Sequence, residues 1–157
     1  MADIKNKPSR GNNLDYIIRP IEMKDITEGQ FLKVLENLSV KVIARNQAQR
    51  ILQTIESNPL HKIFVAVQKN IVIGAVTLLV EPKFIYEGGK VAHIEDVVVK
   101  KQFAGKGIGS SLVKFVIDVA RTDFRCAKVI LDCSDENVGF YERLGFSCQD
   151  NGMTIFW

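Results

Sequence analysis

The chain alternates short β-branched runs with longer segments of helical spacing, and their order predicts a mixed α/β fold. Tyr16-Ile17-Ile18-Arg19-Pro20 reads as a first strand, and the proline that closes it cannot donate to a ladder, which suits a sheet edge. Helical spacing follows in Ile26, Phe31, Val34, Leu35 and Leu38, with Asp25 or Thr27 as the cap. It returns from Ala44 to Glu56 and stops before Asn58-Pro59. Two apolar runs, Ile63 to Val67 and Ile71 to Val80, flank the polar pair Lys69-Asn70 and predict an antiparallel hairpin that turns there.

After Glu87-Gly88-Gly89-Lys90, the segment Ala92 to Val99 predicts the central strand, with Val97-Val98-Val99 buried on both faces. It leads through Phe103-Ala104-Gly105-Lys106-Gly107-Ile108-Gly109 into a helix whose apolar stripe is Leu112, Val113, Phe115, Val116, Val119 and Ala120. A strand from Lys128 to Cys133, a short helix from Asn137 to Leu144 ended by Gly145, and a last strand from Met153 to Trp157 complete the pattern. Residues 1–14 read as a flexible N-terminal extension and 15–157 as a single domain, without internal repeats or low-complexity tracts.

Composition narrows the function classes. A length of 157 residues fits one core. With 21 Lys and Arg against 18 Asp and Glu the formal charge is +3, and with no clustered basic face a nucleic-acid partner is not expected. The longest apolar stretch, Ile71 to Val80, is about half the roughly 20 residues a membrane helix needs, so no span is expected. Cys126, Cys133 and Cys148 are odd in number and form no CxxC pair, which argues against zinc or a redox dithiol and for a reducing, intracellular and most simply cytoplasmic setting. The polar N-terminus carries no secretory signal, while organellar routes stay open.

Two features point to chemistry. Gly105, Gly107 and Gly109 let the backbone turn tightly into a helix, exposing N–H groups where the helix dipole favours an anion such as a pyrophosphate. The spacing is neither a P-loop nor a dinucleotide fingerprint, and taken alone it is equally a ligand-free strand-to-helix turn. Glu95 and Asp96 interrupt an apolar strand, where an unpaired buried charge is costly, so they are expected to face a cleft and a cationic or hydroxyl-rich ligand; a strand-end salt bridge is the bland alternative. His93, a lone strand histidine, is read as structural.

Val97 to Val99 followed by Gly105-Lys106-Gly107-Ile108-Gly109 resembles the acetyl-CoA signature of the GNAT superfamily of N-acetyltransferases, with Ala104 standing where the family has Arg or Gln. The blocks His93-Ile94-Glu95-Asp96-Val97-Val98-Val99 and Leu131-Asp132-Cys133-Ser134-Asp135-Glu136-Asn137-Val138-Gly139-Phe140-Tyr141-Glu142 resemble the glucosamine 6-phosphate N-acetyltransferase subfamily, from about Tyr16 to Met153. The resemblance implies the GNAT fold, a central, mostly antiparallel sheet flanked by helices. It also implies transfer of acetyl from acetyl-CoA to the 2-amino group of D-glucosamine 6-phosphate by direct attack, on the route to UDP-N-acetylglucosamine, with no metal.

By the same resemblance Tyr141 is the acid for the departing thiolate, Asp132 orients the amine or contacts the cofactor, Glu95 is counted with them as catalytic, and Val97, Val98, Val99, Gly105, Lys106, Gly107, Ile108, Gly109, Ser110 and Asn137 hold acetyl-CoA. Ser39, Lys83, Tyr86, Glu95, Asp96, Ala127 and Lys128 fall at substrate-contact positions, and a homodimer packed through its C-terminal strands shares its substrate sites. The phenol's protonation at neutral pH suits an acid, and lysine suits a phosphate. The family's C-terminal Arg is missing from Ile155-Phe156-Trp157, so another cation such as Arg45 or Lys90 must replace it, or phosphate affinity falls. A GNAT enzyme for a different amine and an acetyl-CoA-binding module without turnover are the competing readings.

Overall fold

A computed structural model describes residues 7–11, 14–28, 30–38, 43–149 and 152–155. Its strands are β1 (Lys7–Gly11), β2 (Leu14–Pro20), β3 (His61–Gln68), β4 (Ile71–Pro82), β5 (Lys90–Val99) and β6 (Lys128–Ile130). They form one six-stranded sheet in sequential order. Every neighbouring pair is antiparallel except β5 and β6, which run parallel because helix α4 (Ile108–Thr122) carries the chain across between them. Helices α1 (Met23–Thr27), α2 (Gln30–Leu35) and α3 (Arg45–Glu56) come between β2 and β3, and α5 (Asp135–Glu142) follows β6.

Both faces of the central strands are covered, which is why β3 and β4 read as nearly continuous apolar runs rather than as alternating ones. Ile63, Val65, Ala75 and Val98 pack with Ile26, Val34 and Leu52 on the side of α1 to α3. Phe64, Val76, Leu78 and Ile94 pack with Leu112, Val113 and Val116 of α4 on the other. The stripe expected on α4 is buried throughout, and α3 occupies the expected segment with Ala44 at its N-cap. At the β3–β4 turn Lys69 and Asn70 have φ of +47° and +65°, the two positive values a two-residue type I′ turn needs. Gly74 lets β4 approach closely: a Cβ there would lie 3.0 Å from the Val98 carbonyl oxygen and 3.1 Å from the Leu112 side chain.

Several expectations are corrected. Residues 7–11, assigned to a flexible extension, form β1, whose pairing with Leu14–Pro20 removes the edge position expected for the first strand. Lys-Pro-Ser-Arg-Gly carries no apolar alternation to announce it. The helix expected across Ile26 to Leu38 is two short helices. Asp25 does not cap it: Glu22 is the N-cap of α1, and Asp25 is drawn into a buried, two-pronged pair with Arg19 at 2.8 and 2.9 Å while accepting the Glu22 N–H at 2.8 Å. Strand β6 ends at Ile130 rather than Cys133, and α5 begins and ends two residues before its expected bounds, with Ser134 at its N-cap. Val98 alone of Val97-Val98-Val99 is fully buried. Met153 to Ile155 form no strand in the single chain, and Phe156 and Trp157 lie outside the described residues.

Candidate functional site

Two departures from a regular ladder build the site. The first is in β5. Ala75 faces Val98 and Thr77 faces Glu95, so Asp96 and Val97 together stand opposite Val76. Asp96 takes φ of +51°, a left-handed conformation that short Asp tolerates, and the bulge leaves ladder groups unpaired beside it. The Asp96 carboxylate accepts a 3.4 Å hydrogen bond from the Thr77 hydroxyl, and both residues form the polar end of an otherwise apolar cavity of about 160 Å³ beneath α1, α2 and α3.

The second departure is the end of β6. It pairs with β5 only from Val91 to His93, after which β5 runs on to Val99 while the chain beyond Ile130 turns away into α5. A gap opens. Val97 and Val99 on its β5 side, and Leu131, Phe140 and Tyr141 on its α5 side, are half-buried against the α4 core. The two sides and α4 converge at Gly109, where a Cβ would lie 3.5 Å from the Phe140 ring and 3.7 Å from a Val99 methyl.

At this junction α4 begins. Gly105 and Gly107 have φ of +72° and +81°, and a Cβ at either would meet nothing within 4 Å, so conformation and not crowding requires glycine there. No side chain caps the helix at Gly107. The first N–H to bond back is that of Ser111, to the Gly107 oxygen at 3.0 Å, leaving the first-turn N–H groups of Ile108, Gly109 and Ser110 for an anion. Lys106 lies beside them, its Nζ 5.2 Å from the centre of the Phe103 ring.

The titratable groups surround the gap. Partial desolvation lifts the Glu95 carboxyl above its ordinary value, and the charges of Asp96 and Asp132 add to this against the pull of His93. Tyr141, on α5, stands edge-on to Phe140 and Phe146 with ring centres 4.9 and 5.8 Å away. Burial first, and the nearby Cys133 second, push its phenol upward, so it keeps its proton. Asp132 is exposed just past β6, and a Cβ on Gly152 would lie 3.1 Å from its Oδ1, so the C-terminal segment runs against it. Asn137 donates to the Ser134 hydroxyl at 2.9 Å.

Glu95 thus lies within electrostatic reach of Asp96 and Asp132, Asp96 faces the cavity beneath the first three helices, and Tyr141 packs with Val97 and Val99 on the α4 side. The expected phosphate group is more dispersed. Lys83 Nζ lies 2.6 Å from Glu81 Oε1, and Glu81 Oε2 lies 3.1 Å from His93 Nε2. Those two partners hold the Glu81 carboxyl below its ordinary range, Lys83 first. Ala127 donates its N–H to the Lys90 oxygen at 2.7 Å, and Lys128, exposed, opens β6 opposite Val91. Lys90 is engaged by the Phe124 oxygen at 3.1 Å, and Arg45 is exposed at the start of α3. Tyr86 lies in a 3-10 turn, Tyr86–Gly88, and Ser39 lies outside the described residues.

Thr77, Glu81 and His61 were missed in the sequence. His61 is in register with Leu79, itself paired with His93, so both of the chain's histidines lie in one row across the sheet. Burial pulls the His61 imidazole downward, against the opposing charge of Asp96. Alternation was the available signal for Thr77 and Glu81, which share a face of β4 with Leu79. Among the described residues no cluster of His, Cys, Asp or Glu could hold a metal ion, and no helix is long and apolar enough to cross a membrane.

Residues 23–146 match the model of the Acetyltransferase (GNAT) family. The chain is 38% identical to the glucosamine 6-phosphate N-acetyltransferase of Candida albicans over 143 residues, covering 89% of this chain and 93% of that protein. The crystal structure of glucosamine-6-phosphate N-acetyltransferase from Arabidopsis thaliana superposes with a TM-score of 0.85 at 34% identity, covering 90% of this chain and 98% of that one. A predicted acetyltransferase from Clostridium acetobutylicum, solved with acetyl-CoA, shares the fold with a TM-score of 0.72 at 17% identity, over 90% of this chain and 96% of its own. A bulged strand parting from its parallel neighbour beside an uncapped helix, and relatives matched over nearly their whole length, together place this chain in the GNAT acetyltransferase family, among the glucosamine 6-phosphate N-acetyltransferases.

Proposed function

We propose that this chain transfers acetyl from acetyl-CoA to the 2-amino group of D-glucosamine 6-phosphate, giving N-acetylglucosamine 6-phosphate for UDP-N-acetylglucosamine synthesis. The observation that carries the reading is the gap between β5 and β6, bounded by acids on the strand side, Tyr141 on the helix side and unpartnered helix N–H groups at its end. The residues fit acetyl-CoA. An extended chain of amides pairs with a free strand edge, which suits Val97, Val98 and Val99, and the open backbone at Gly105, Lys106, Gly107, Ile108, Gly109 and Ser110 suits a pyrophosphate. Asn137, in the first turn of α5, joins them in this reading.

When bound, acetyl-CoA supplies a thioester carbonyl as acetyl donor. The chain's own residues do the rest. Glu95 and Asp132 draw the substrate's ammonium to the gap, and Glu95, its carboxyl lifted, is the better placed to accept the ammonium proton. The Val97 N–H, next to the bulge, points the strand's donor capacity at the oxygen on which charge develops. Tyr141 holds a proton through neutral pH and gives it to the departing sulfur. Ser39, Lys83, Tyr86, Asp96, Ala127 and Lys128 contact the sugar phosphate in this reading.

A homodimer belongs to it. Phe84 is fully exposed, and Ile85, Met153 and Ile155 are exposed with it on the β4–β5 connection and the C-terminal segment. Apolar groups so placed want a cover, which a second copy supplies while completing the substrate site. Three free cysteines suit a reducing cell interior, most simply the cytoplasm. The test is thiol release from acetyl-CoA by the purified protein, with glucosamine 6-phosphate beside unphosphorylated glucosamine. Fast release with the first and little with the second is expected; silence with both rejects the substrate.

A further inference from the structure

We propose that Glu81 and His93 are positioning residues for acceptor recognition, holding Lys83 where the 6-phosphate arrives. The inference rests on the proposed substrate and extends it to two residues outside the catalytic gap. Pairing of Leu79 with His93 and of Glu81 with Val91 sets Glu81 and His93 diagonally across β4 and β5. They share the face on which Glu95 lies, two residues further along β5.

One carboxylate joins two strands' side chains there. Its Oε1 is 2.6 Å from Lys83 Nζ and its Oε2 is 3.1 Å from His93 Nε2. The base of Lys83 is also fixed, since its backbone N–H donates to the Gly89 oxygen at 2.8 Å. Lys83 and His93 each keep 30% of their side-chain surface open, so the clamp is accessible to a ligand.

An ammonium carries three N–H donors, and the pair with Glu81 uses one, leaving two for phosphate oxygens. A free lysine loses much rotamer freedom when it grips an anion, whereas one already held loses less. Glu81's charge is divided between two donors instead of facing the incoming phosphate. The spacing also fits. Glu81 lies opposite Val91 and Glu95 lies opposite Thr77, four residues apart along the strands, or about 13 Å at the rise of a β-strand. With Lys83 Nζ held against Glu81, that interval separates an anion-binding end from an amine-binding end, as a small molecule with an amine and a phosphate requires.

The experiment is steady-state kinetics with glucosamine 6-phosphate and with glucosamine for the full-length protein and for Lys83→Met, Glu81→Gln, His93→Ala and His93→Gln. Glu81→Gln and His93→Ala are expected to raise KM for the 6-phosphate about 3- to 5-fold, with KM for glucosamine within about two-fold of wild type. His93→Gln retains an N–H donor and should restore most of the loss. An equal rise for both sugars would show a merely structural role and overturn the inference, as would a fall in KM with Glu81→Gln, which would mark the carboxylate as a competitor of the phosphate. If Lys83→Met abolishes preference for the 6-phosphate while Glu81→Gln and His93→Ala leave it intact, the clamp is rejected and the substrate stands. Equal use of both sugars by the wild type rejects the substrate and the clamp together.

Discussion

Tyr141 and Glu95 stand on opposite sides of the gap, and the protein raises the proton affinity of both, for different reasons. For Tyr141 the low polarity between Phe140 and Phe146 dominates, and for Glu95 partial desolvation acts together with neighbouring carboxylates. Their signs suit opposite tasks. A phenol lifted above its ordinary value remains a donor to higher pH, while a carboxylate lifted above its own becomes a stronger acceptor once ionised. Tyr141→Phe is therefore expected to lower kcat about 10²- to 10³-fold with acetyl-CoA affinity near wild type, and to remove any alkaline limb that Tyr141 contributes to the rate profile. Stopped-flow thiol release across pH, with calorimetry for affinity, reads both; undiminished turnover would take Tyr141 out of the mechanism.

At the scale of elements, the glycine loop is shaped by conformation. A side chain at Gly107 finds open space but must adopt a left-handed backbone, which costs about 1–2 kcal/mol. The fold can absorb that, whereas an anion approaching the first turn of α4 meets the new side chain directly. Gly107→Val is thus expected to weaken acetyl-CoA binding about ten-fold or more in a calorimetric titration while the protein stays folded by circular dichroism. Unaltered affinity would show that the loop does not hold the pyrophosphate.

Elements with strong local chemistry were legible in advance. Lys69-Asn70 turns where two positive φ values are tolerated, and the stripe of α4 repeats with helical period. Glu95 and Asp96 stood out because charge is costly in an apolar run, and the structure gives that cost a use in the bulge. β1 was not legible, because Lys-Pro-Ser-Arg-Gly has no apolar alternation. The early end of β6 was not legible either: Leu131-Asp132-Cys133 is as fit for a strand as the residues before it, and only the departure into α5 ends the pairing. Thr77 and Glu81 alternate with apolar neighbours and so read as ordinary solvent-facing positions.

At the scale of the molecule, the four most exposed large apolar groups among the described residues lie on two segments distant in sequence, the connection carrying Phe84 and Ile85 and the C-terminal segment carrying Met153 and Ile155. A dimer joined through them would hide both from water. Sedimentation equilibrium is expected to return twice the chain mass for the wild type, and Phe84→Asp with Ile155→Asp a single chain with reduced turnover; a wild-type monomer at micromolar concentration rejects this arrangement.

The parting of β5 from β6 leaves the sheet unfinished over the last part of β5's length, where among the described residues no strand answers that edge. A donor molecule that lays its amide arm there acts as a borrowed strand, present only while it is bound. Because it binds the folded chain and not the unfolded one, a concentration a hundred times its dissociation constant adds about 2.7 kcal/mol to the fold. Resistance of this chain to heat and to proteases is accordingly expected to follow the supply of its acetyl donor, so that a starved cell would hold a softer enzyme than a fed one.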